Sequence, residues 1–472
     1  MKIIHVASEV YPFSKTGGLA DVTGSLPLWL ASLGNEVIVM SPLYARVRKK
    51  YPDLTPTGIK VWVDVPDGLL EFNLYECTIK KVRFLFFRQD QLFNRPGIYN
   101  ENGKDYPDNH IRFSAFCMAC MNHIKHHGLM PDILHAHDWQ TALIPVYHKS
   151  FFQDIPAKTV FTIHNLSFQG VFFGVTMEAI GLTPAHFSTE GLEFYGHPNL
   201  MKGAIVYSDL ITTVSPSYAR EIQTPACGCQ LDGLLRRYHH KLVGILNGID
   251  DHIWDPETDT MIAHHFNKGD LSGKTAQKRS VAALLGFNPE KPLVAMISRL
   301  SNQKGVELIL EAAGDIGQLD AHFIFLGDGV PEITGQFQKL GHAYTNITVI
   351  IGYNEALSHN LYAAADYYLM PSIFEPCGLS QLIAMRYGAL PVVHRTGGLA
   401  DTVKDVNSGG WGFVFDSADA GSLLHTLKRA LGVYRTPAFE KFVKHSLSLD
   451  FSWEQSLHKT MEQYQLLLGN SG

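Results

Sequence analysis

The sequence has few cysteines and only a small excess of acidic residues. Six of its 472 residues are cysteine, and they are spread from Cys77 to Cys377. So few thiols in a chain of this length do not predict a disulfide framework, and a reducing cytoplasm is the simplest location. The formal net charge is −6. Because nucleic-acid binding usually requires a basic surface, we expect no nucleic-acid partner.

Long apolar segments are also missing. No run approaches the ~18 consecutive apolar residues of a membrane-spanning helix, so we expect no membrane span and no membrane partner. The amino terminus, MKIIHVAS, has the pattern of a strand. A secretory signal or a transit peptide would show a different composition there, and neither is expected. These features again favour a cytoplasmic protein.

The sequence does contain a regular alternation of short apolar runs and helical patterns. The runs predict strands at residues 3–7, 36–40, 133–135, 160–163, 211–214, 293–297, 322–326, 348–350, 367–370 and 390–393. Near-continuous apolar strands alternating with helices are typical of parallel sheets buried on both faces, and therefore of the α/β class. Residues 59–87 differ, since several strand-like runs occur there without a clear helix. They predict a local antiparallel insertion.

The chain is long enough for two or three domains. A strong turn signal, Asn247-Gly248, follows the apolar run at residues 243–246 and predicts a domain boundary there. Helical patterns include residues 305–313 and 355–365. The tail at residues 454–468 has the pattern of one amphipathic helix.

One six-residue motif, TGGLAD, occurs twice, at residues 16–21 and 396–401. Both copies open a helical pattern, where glycine-rich turns offer backbone N–H groups to an anion. Two hypotheses remain open: convergence on a favourable strand-to-helix turn, or two glycine loops that face one ligand. The first copy is preceded by Lys15, which suits a phosphate or a sugar hydroxyl, and the second by Arg395. Neither the P-loop spacing nor the dinucleotide fingerprint is present.

Two further segments carry polar groups at predicted strand ends, where α/β proteins bind ligands. In the first, Arg299 and Lys304 follow the strand at residues 293–297 and could converge on one diphosphate. In the second, Glu375 precedes Gly378 and could bind ligand hydroxyls. The alternatives are an ordinary charged surface loop for the first segment and a helix-entry turn for the second.

Histidines follow two strands of the first half. His135, His137 and Asp138 end one strand, and His164 follows the next. A His-x-His pair could indicate a metal, but no third ligand stands at motif spacing, so we expect none. Cys117 and Cys120 resemble half of a zinc site. However, they lie in the helical run at residues 111–127, where cysteines three apart are commonly core residues. The sequence also has no Asp-x-Asp pair, the usual holder of a metal–diphosphate.

The ordered set of motifs closely resembles bacterial glycogen synthases and plant starch synthases, glycosyltransferase family 5. The matching motifs are KTGGLAD at 15–21, HAHDW at 135–139, HNL at 164–166, LNGID at 246–250, SRL at 298–300, QKG at 303–305 and EPCGL at 375–379. Each motif alone is weak, but the ordered set spans the chain nearly end to end and is highly specific.

The resemblance implies a GT-B architecture, with two Rossmann-like domains and a deep interdomain cleft. The acceptor domain would comprise residues 1–242, the nucleotide-sugar domain residues 243–455, and a carboxyl-terminal helix at 456–472 would cross back to the first domain. The implied reaction transfers glucose from ADP-glucose to the non-reducing end of an α-1,4-glucan, such as glycogen or a malto-oligosaccharide, with retention. Neither a metal nor pyridoxal phosphate would be needed. The remaining alternatives are another GT-B transferase using UDP-glucose or a different acceptor, and a two-lobed solute-binding protein.

The resemblance also implies the residues of the site. The catalytic residues would be Asp138, His164, Arg299, Lys304 and Glu375. The substrate-binding residues would be Lys15, Gly17, Gly18, Asp21, Asn247, Tyr353, Cys377, Gly378, Leu379 and Ser380. Many retaining relatives have a second Glu eight residues after the first, where this chain has Ile383. That difference favours the starch-synthase branch. Because no residue is an obvious covalent nucleophile, front-face displacement is the expected mechanism.

Overall fold

The structure, a computed structural model, describes residues 1–101 and 103–469. These residues divide into two compact units. The first unit contains Met1–Val214, Ala219–Ile245 and the carboxyl-terminal segment from Trp453. The second contains Ser215–Tyr218 and Leu246–Ser452.

The strands of the first unit form one large, mostly parallel sheet. In chain order they are β1 (Lys2–Val6), β2 (Glu36–Pro42), β3 (Thr55–Val65), β4 (Gly68–Ile79), β5 (Val82–Arg88), β6 (Asn100–Glu101), β7 (Lys104–Asp105), β8 (Ile133–His137), β9 (Lys158–Ile163), β10 (Glu193–Phe194), β11 (His197–Pro198), β12 (Leu210–Thr213) and β13 (Leu242–Gly244). The sheet order is β13-β12-β9-β8-β1-β2-β5-β4-β3, and two short pairs, β6-β7 and β10-β11, stand apart. Only the β3–β4 and β4–β5 pairs of this sheet are antiparallel, which confirms the insertion predicted at residues 59–87.

The second unit is built on a fully parallel sheet. Its strands are β14 (Leu293–Ile297), β15 (His322–Gly327), β16 (Ile347–Ile351), β17 (Tyr367–Met370), β18 (Leu390–His394) and β19 (Phe413–Phe415). They lie in the order β16-β15-β14-β17-β18-β19. Strands β14, β15, β17 and β18 are buried along their whole length. This burial explains their near-continuous apolar sequences.

Helices alternate with these strands. They are α1 (Gly18–Ser32), α2 (Ala45–Lys50), α3 (Asp90–Phe93), α4 (Asn109–His126), α5 (Leu143–Phe151), α6 (Leu200–Tyr207), α7 (Pro216–Glu221), α8 (Asp232–Arg237), α9 (Ser272–Leu285), α10 (Val306–Glu311), α11 (Ala313–Ile316), α12 (Pro331–Ala343), α13 (Glu355–Ala364), α14 (Ser380–Arg386), α15 (Gly397–Thr402), α16 (Ala420–Leu431), α17 (Pro437–Ser446) and α18 (Trp453–Leu467). Across residues 1–101 and 103–469, none of the helices is both long and apolar enough to cross a lipid bilayer.

The amphipathic tail predicted from the sequence is helix α18, which packs on the first unit. Met461 lies against the side chain of Asn35, and the Tyr464 hydroxyl hydrogen-bonds with His135 Nδ1 at 2.6 Å. Cys117 and Cys120 are fully buried in α4. Their burial confirms the prediction that they are core residues.

Candidate active site

The densest polar cluster of the second unit joins two loops that follow neighbouring strands. Lys304 ends the loop after β14, and its Nζ donates to Oε2 of Glu375, in the loop after β17, at 2.5 Å. The Ser372 hydroxyl donates to the same oxygen at 2.9 Å. The Lys304 and Glu375 side chains are only 14% and 7% exposed. Because β14 and β17 are adjacent and parallel, their carboxyl ends bring the two charges together.

Backbone contacts hold these two loops in place. Gly305 has a φ of +71°, and a Cβ atom there would stand 2.0 Å from the carbonyl oxygen of Pro371. The Ile373 N–H donates to the Gln303 carbonyl at 2.9 Å. Glycine is therefore required at residue 305 both for its backbone conformation and for the close approach of the loops.

Arg299 lies in the same loop as Lys304, three residues before the 3-10 turn that ends at Lys304. It is exposed, whereas the next residue, Leu300, is buried and donates its N–H to the Asp328 carbonyl at 2.7 Å. The loop therefore has one anchored residue beside an accessible guanidinium.

The second glycine motif packs directly against the Glu375 loop. The Gly398 N–H donates to the Glu375 carbonyl at 3.0 Å. A Cβ at Gly397, whose φ is +44°, would stand 2.0 Å from that same carbonyl oxygen, and a Cβ at Gly398 would stand 1.9 Å from that of Cys377. The glycines of this copy allow the neighbouring loop to pack closely, so they have a structural role that requires no ligand.

The remaining predicted residues of the second unit flank this loop. Cys377 is buried, and burial raises the pKa of its thiol to about 12, while a backbone hydrogen bond from Asn247 opposes the rise. Ser380 begins α14 and hydrogen-bonds with the hydroxyls of Tyr362 and Tyr368. Tyr353 is 69% exposed.

The two other predicted residues lie between Cys377 and Ser380. Gly378 has a φ of +72°, and Leu379 is partly buried. The structure therefore places Asn247 and residues 377–380 around one loop. Tyr353 stands at the surface, after strand β16.

In the first unit, Asp138 has an unusual backbone. Its φ is +57° and its ψ is 178°, a combination that is costly for a non-glycine residue and is typical of functional sites. Its Oδ1 accepts the backbone N–H of His164 at 2.8 Å, and Asn165 supplies a second backbone bond. Burial raises the pKa of Asp138 to about 7, although these two hydrogen bonds act to lower it. The nearby charge of Glu9 raises it further.

Histidines from three adjacent strands form a buried row beside Asp138. His5 Nδ1 lies 3.0 Å from His137 Nε2, and His137 Nδ1 lies 3.0 Å from His164 Nε2. His135 instead bonds with Thr162 and Tyr464, each at 2.6 Å. Burial lowers the pKa of His5 and of His164 to about 3. The row is therefore uncharged at neutral pH.

The sequence offers no third ligand at motif spacing beside His135 and His137, but the structure brings His5 next to them. Ligand atoms of His5, His135 and His137 lie within 4.8 Å of one another. However, both ring nitrogens of His135 and of His137 are already engaged in hydrogen bonds. A metal bound through one nitrogen of each ring would have to displace one hydrogen bond of His135 and one of His137, so the donor set fits a hydrogen-bonded network better than a metal site.

The first glycine motif has different surroundings from the second. Lys15 Nζ pairs with Asp21 Oδ1 at 2.7 Å. Glu9, which is 2% exposed, accepts the backbone N–H groups of Thr16 and Gly17 and the Thr16 hydroxyl. Burial raises the pKa of Glu9. The Gly17 N–H thus has a protein partner, and a Cβ built on Gly17 would have no atom within 4 Å from the described residues other than its chain neighbours. Gly18 begins α1.

Sequence reasoning missed three residues of these clusters: His5, Glu9 and Ser372. His5 lies inside β1, and Glu9 and Ser372 follow β1 and β17 within three residues. A search for every polar residue inside or just after a predicted strand would have found them. Their partners could not be assigned, since His5 contacts a residue 132 positions away.

The family models and the known proteins that match this chain agree with one another. Residues 2–237 match the family described as starch synthase catalytic domain, and residues 278–436 match glycosyl transferases group 1. The chain is 40% identical to a glycogen synthase of Syntrophotalea carbinolica over 98% of both chains. It is 44% identical to a glycogen synthase of Aquifex aeolicus over 98% of this chain and 99% of that one.

Solved structures agree with the sequence comparisons. The catalytic domain of starch synthase IV from Arabidopsis thaliana, bound to ADP and acarbose, is similar with a TM-score of 0.91 and 32% identity over 99% of both chains. A sucrose-phosphate synthase from Thermosynechococcus elongatus has a TM-score of 0.62 at 16% identity, which is a likeness of fold alone.

Proposed function

The chain belongs to the family of glycogen and starch synthases, and from that premise we propose that it transfers glucose from ADP-glucose to the non-reducing end of an α-1,4-glucan. It is a glycosyltransferase with the GT-B fold, and these sequence predictions are confirmed. The starch synthase it resembles was solved with ADP and acarbose, a nucleotide and a glucan-like oligosaccharide, and both support the proposed donor and acceptor classes. We also propose that the reaction takes place in the cytoplasm.

The observation that carries the proposal is the contact between Lys304 and Glu375. A nucleotide sugar has a diphosphate joined to C1 of a sugar, so its site needs a cation next to a hydrogen-bond acceptor. Lys304 supplies the cation, and Glu375 supplies a carboxylate that can bind glucosyl hydroxyls, 2.5 Å away. Both stand at the carboxyl ends of adjacent parallel strands, where α/β proteins bind ligands.

The proposed step is a front-face displacement. The acceptor hydroxyl oxygen bonds to C1 of glucose while the bond from C1 to the diphosphate oxygen breaks. The electron pair leaves with ADP, and the acceptor proton passes to that leaving oxygen. Because attack and departure take place on the same face of the sugar, the anomeric configuration is retained. Lys304 and the exposed Arg299 would stabilise the charge that develops on ADP. Removal of one such donor typically costs about 10²–10³ in rate.

The resemblance implies further roles, which we propose for the other predicted residues of each unit. Asp138 and His164 would lie beside the glucosyl unit, with His164 near its C6 hydroxyl. Lys15 and Gly18 would reach the phosphates, while Gly17 and Asp21 would shape that loop. Residues that would line the sugar, phosphate and adenine positions are Asn247, Cys377, Gly378, Leu379, Ser380 and Tyr353.

We propose that the reaction requires neither a metal nor pyridoxal phosphate, because the cationic side chains Arg299 and Lys304 are available to the diphosphate. Addition of EDTA during turnover tests this part of the proposal. The rate should be unchanged, whereas a loss that Mg²⁺ restores would show that a metal takes part.

A two-donor assay tests the proposed function. Purified protein is incubated with glycogen and either ADP-glucose or UDP-glucose, and both nucleotide release and glucan extension are measured. We expect clear preference for ADP-glucose, with nucleotide and transferred glucose formed in equal amounts. Equal rates with the two donors would contradict the donor assignment. Glucan binding without nucleotide release would support a binding protein instead.

A further inference from the structure

The buried row of His5, His137 and His164, called the file below, is connected by hydrogen bonds across the sheet of the first unit. His5 lies in β1, His137 ends β8, and His164 follows β9. Since β1 pairs with β8 and β8 pairs with β9, the three rings lie in sequence across neighbouring strands. Each ring contacts the next through one nitrogen, at 3.0 Å in both contacts. His164 is 8% exposed, and the other two rings are fully enclosed.

The protons of this file can be arranged in only two ways. Burial lowers the pKa of all three rings, so each ring is neutral and has one N–H. Each contact between two nitrogens needs one proton. Either every ring is protonated on Nδ1 and donates toward His164, or every ring is protonated on Nε2 and donates toward His5.

The buried end of the file selects between these arrangements. Nε2 of His5 is enclosed and has no hydrogen-bond partner among residues 1–101 and 103–469. In the first arrangement this atom has an unused lone pair, and in the second it has an unused N–H. Orphaned buried N–H groups are rarer in proteins than under-used acceptors. The first arrangement is therefore the favoured one.

We propose that His5 and His137 are positioning residues that hold His164 in the Nδ1–H tautomer. Nδ1 of His164 has no hydrogen-bond partner in the described parts of the chain, so the file gives it a fixed donor that can face a ligand. The neutral side chain of free histidine prefers the Nε2–H form, so the file acts against the intrinsic preference of the ring. The next step rests on the proposed function. The Nδ1–H group of His164 donates a hydrogen bond to a sugar hydroxyl oxygen near the reacting carbon.

The tautomer of His164 can be measured without any substrate. The protein is labelled with ¹⁵N-histidine, and the two ring nitrogens of each histidine are distinguished by their chemical shifts and their long-range couplings to ring protons. Single substitutions assign the signals. We expect Nδ1–H for His5, His137 and His164 between pH 6 and pH 8. An Nε2–H or a doubly protonated His164 would overturn the proposal, even if the enzyme transfers glucose as proposed.

A pair of variants at one position tests whether the tautomer matters for turnover. His137→Asn retains an amide N–H that can donate to Nε2 of His164, whereas His137→Leu removes that donor. We expect His137→Leu to lower kcat about tenfold, the effect of one lost hydrogen bond, with little change in KM for the glucan. His137→Asn should stay within about threefold of the parent.

The control for these variants is His148→Leu. His148 is a buried histidine of the same unit, in α5, that hydrogen-bonds with the Ile155 carbonyl at 2.9 Å. Its replacement should reduce stability without changing the ring signals of His164 or kcat. Equal loss of kcat in His137→Asn and His137→Leu, with the His164 signals unchanged, would show that His137 has only a packing role.

Discussion

Lys304 Nζ and Glu375 Oε2 lie 2.5 Å apart and join the loop after β14 to the loop after β17. The pair is mostly withdrawn from solvent, and Ser372 donates a further hydrogen bond to the same carboxylate oxygen. Isolated buried pairs contribute little net stability, because desolvation of the two charges offsets their attraction. A pair placed at the carboxyl ends of two adjacent strands is better explained by what each charge can offer a ligand.

We predict that Lys304→Met lowers kcat about 10²–10³-fold, because the variant loses a charge that stabilises the departing diphosphate. Glucan affinity should change by less than about twofold, since Lys304 is proposed to contact only the donor. Initial rates at saturating glycogen, together with a direct glucan-binding measurement, give both quantities. A variant with normal turnover and weakened glucan binding would contradict the assignment of Lys304.

A matched control separates this effect from the loss of a buried ion pair. Lys278 and Asp366 are likewise 2.5 Å apart and nearly buried, at 8% and 10% exposure, but they lie in α9 and before β17. Lys278→Met should destabilise the protein by about 3–5 kcal/mol, as removal of one partner of a buried pair does. Its kcat per folded molecule should match that of the parent chain.

The glycine motif at residues 396–401 gives a second prediction. Gly397→Ala would force a Cβ to within 2.0 Å of the Glu375 carbonyl oxygen at a φ of +44°. We expect a loss of more than about 2 kcal/mol in unfolding free energy and a higher KM for the donor, because the Glu375 loop must move. Denaturant unfolding and donor saturation curves measure these effects.

Gly335→Ala is the control for this substitution. Gly335 lies within helix α12, and among residues 1–101 and 103–469 a Cβ built there would meet no atom within 4 Å outside its own turn of helix. Alanine in a helix interior should stabilise the protein by about 0.5–1 kcal/mol and leave the donor KM unchanged. If Gly397→Ala behaved like Gly335→Ala, the packing explanation for the second motif would be wrong.

The two copies of the glycine motif show where sequence reasoning reached its limit. Their identical letters predicted that each opens a helix, and each does, at α1 and at α15. The letters could not show that Asp21 pairs with Lys15, whereas Asp401 accepts the backbone N–H and the hydroxyl of Ser217. Those partners depend on tertiary packing, which identical local sequence does not determine.

The same distinction applies to the rest of the fold and the site. Apolar periodicity predicted ten strands of the two sheets to within a few residues, because burial on both faces leaves a local signature. It did not predict the short edge strands β13 and β19. Strand-end placement predicted that Lys304 and Glu375 would stand at one edge. The pairing of His5 with His137 depends on the register between β1 and β8, which are more than 120 residues apart. No local pattern contains that register.

A third prediction concerns helix α18. The Tyr464 hydroxyl is buried and hydrogen-bonds with Nδ1 of His135 at 2.6 Å. Tyr464→Phe would leave that ring nitrogen without its partner, so we expect a loss of about 1–3 kcal/mol in unfolding free energy. Because Tyr464 is not proposed to contact substrate, kcat should fall less than about threefold at 25 °C. Thermal unfolding and steady-state rates check both expectations, and a large loss of kcat with unchanged stability would contradict them.

The raised pKa of Asp138 predicts a stability that depends on pH. Its folded pKa is about 7 against an ordinary value of 3.8, so between these values the unfolded chain loses the proton and the folded chain keeps it. Ionisation of Asp138 therefore has no effect on the free energy of unfolding below pH 3.8, and its unfavourable contribution to folding grows from there up to about pH 7. Asn cannot ionise, and its side chain has the shape of the Asp side chain that it replaces. Asp138→Asn should thus stabilise the protein by roughly 1–3 kcal/mol more at pH 8 than at pH 5.

Asp209→Asn provides a control of opposite sign for the Asp138 prediction. Burial alone would raise the pKa of Asp209, but Lys149 and Thr159 outweigh it, and the net shift is downward. Its ionised form therefore stabilises the folded chain above the unfolded pKa, and this contribution is lost as the pH falls. Asp209→Asn should destabilise the protein at both pH 8 and pH 5. Urea unfolding of both variants and the parent at the two pH values gives the comparison. A pH-independent effect of Asp138→Asn would show that its carboxyl group is already ionised in the folded protein at pH 5.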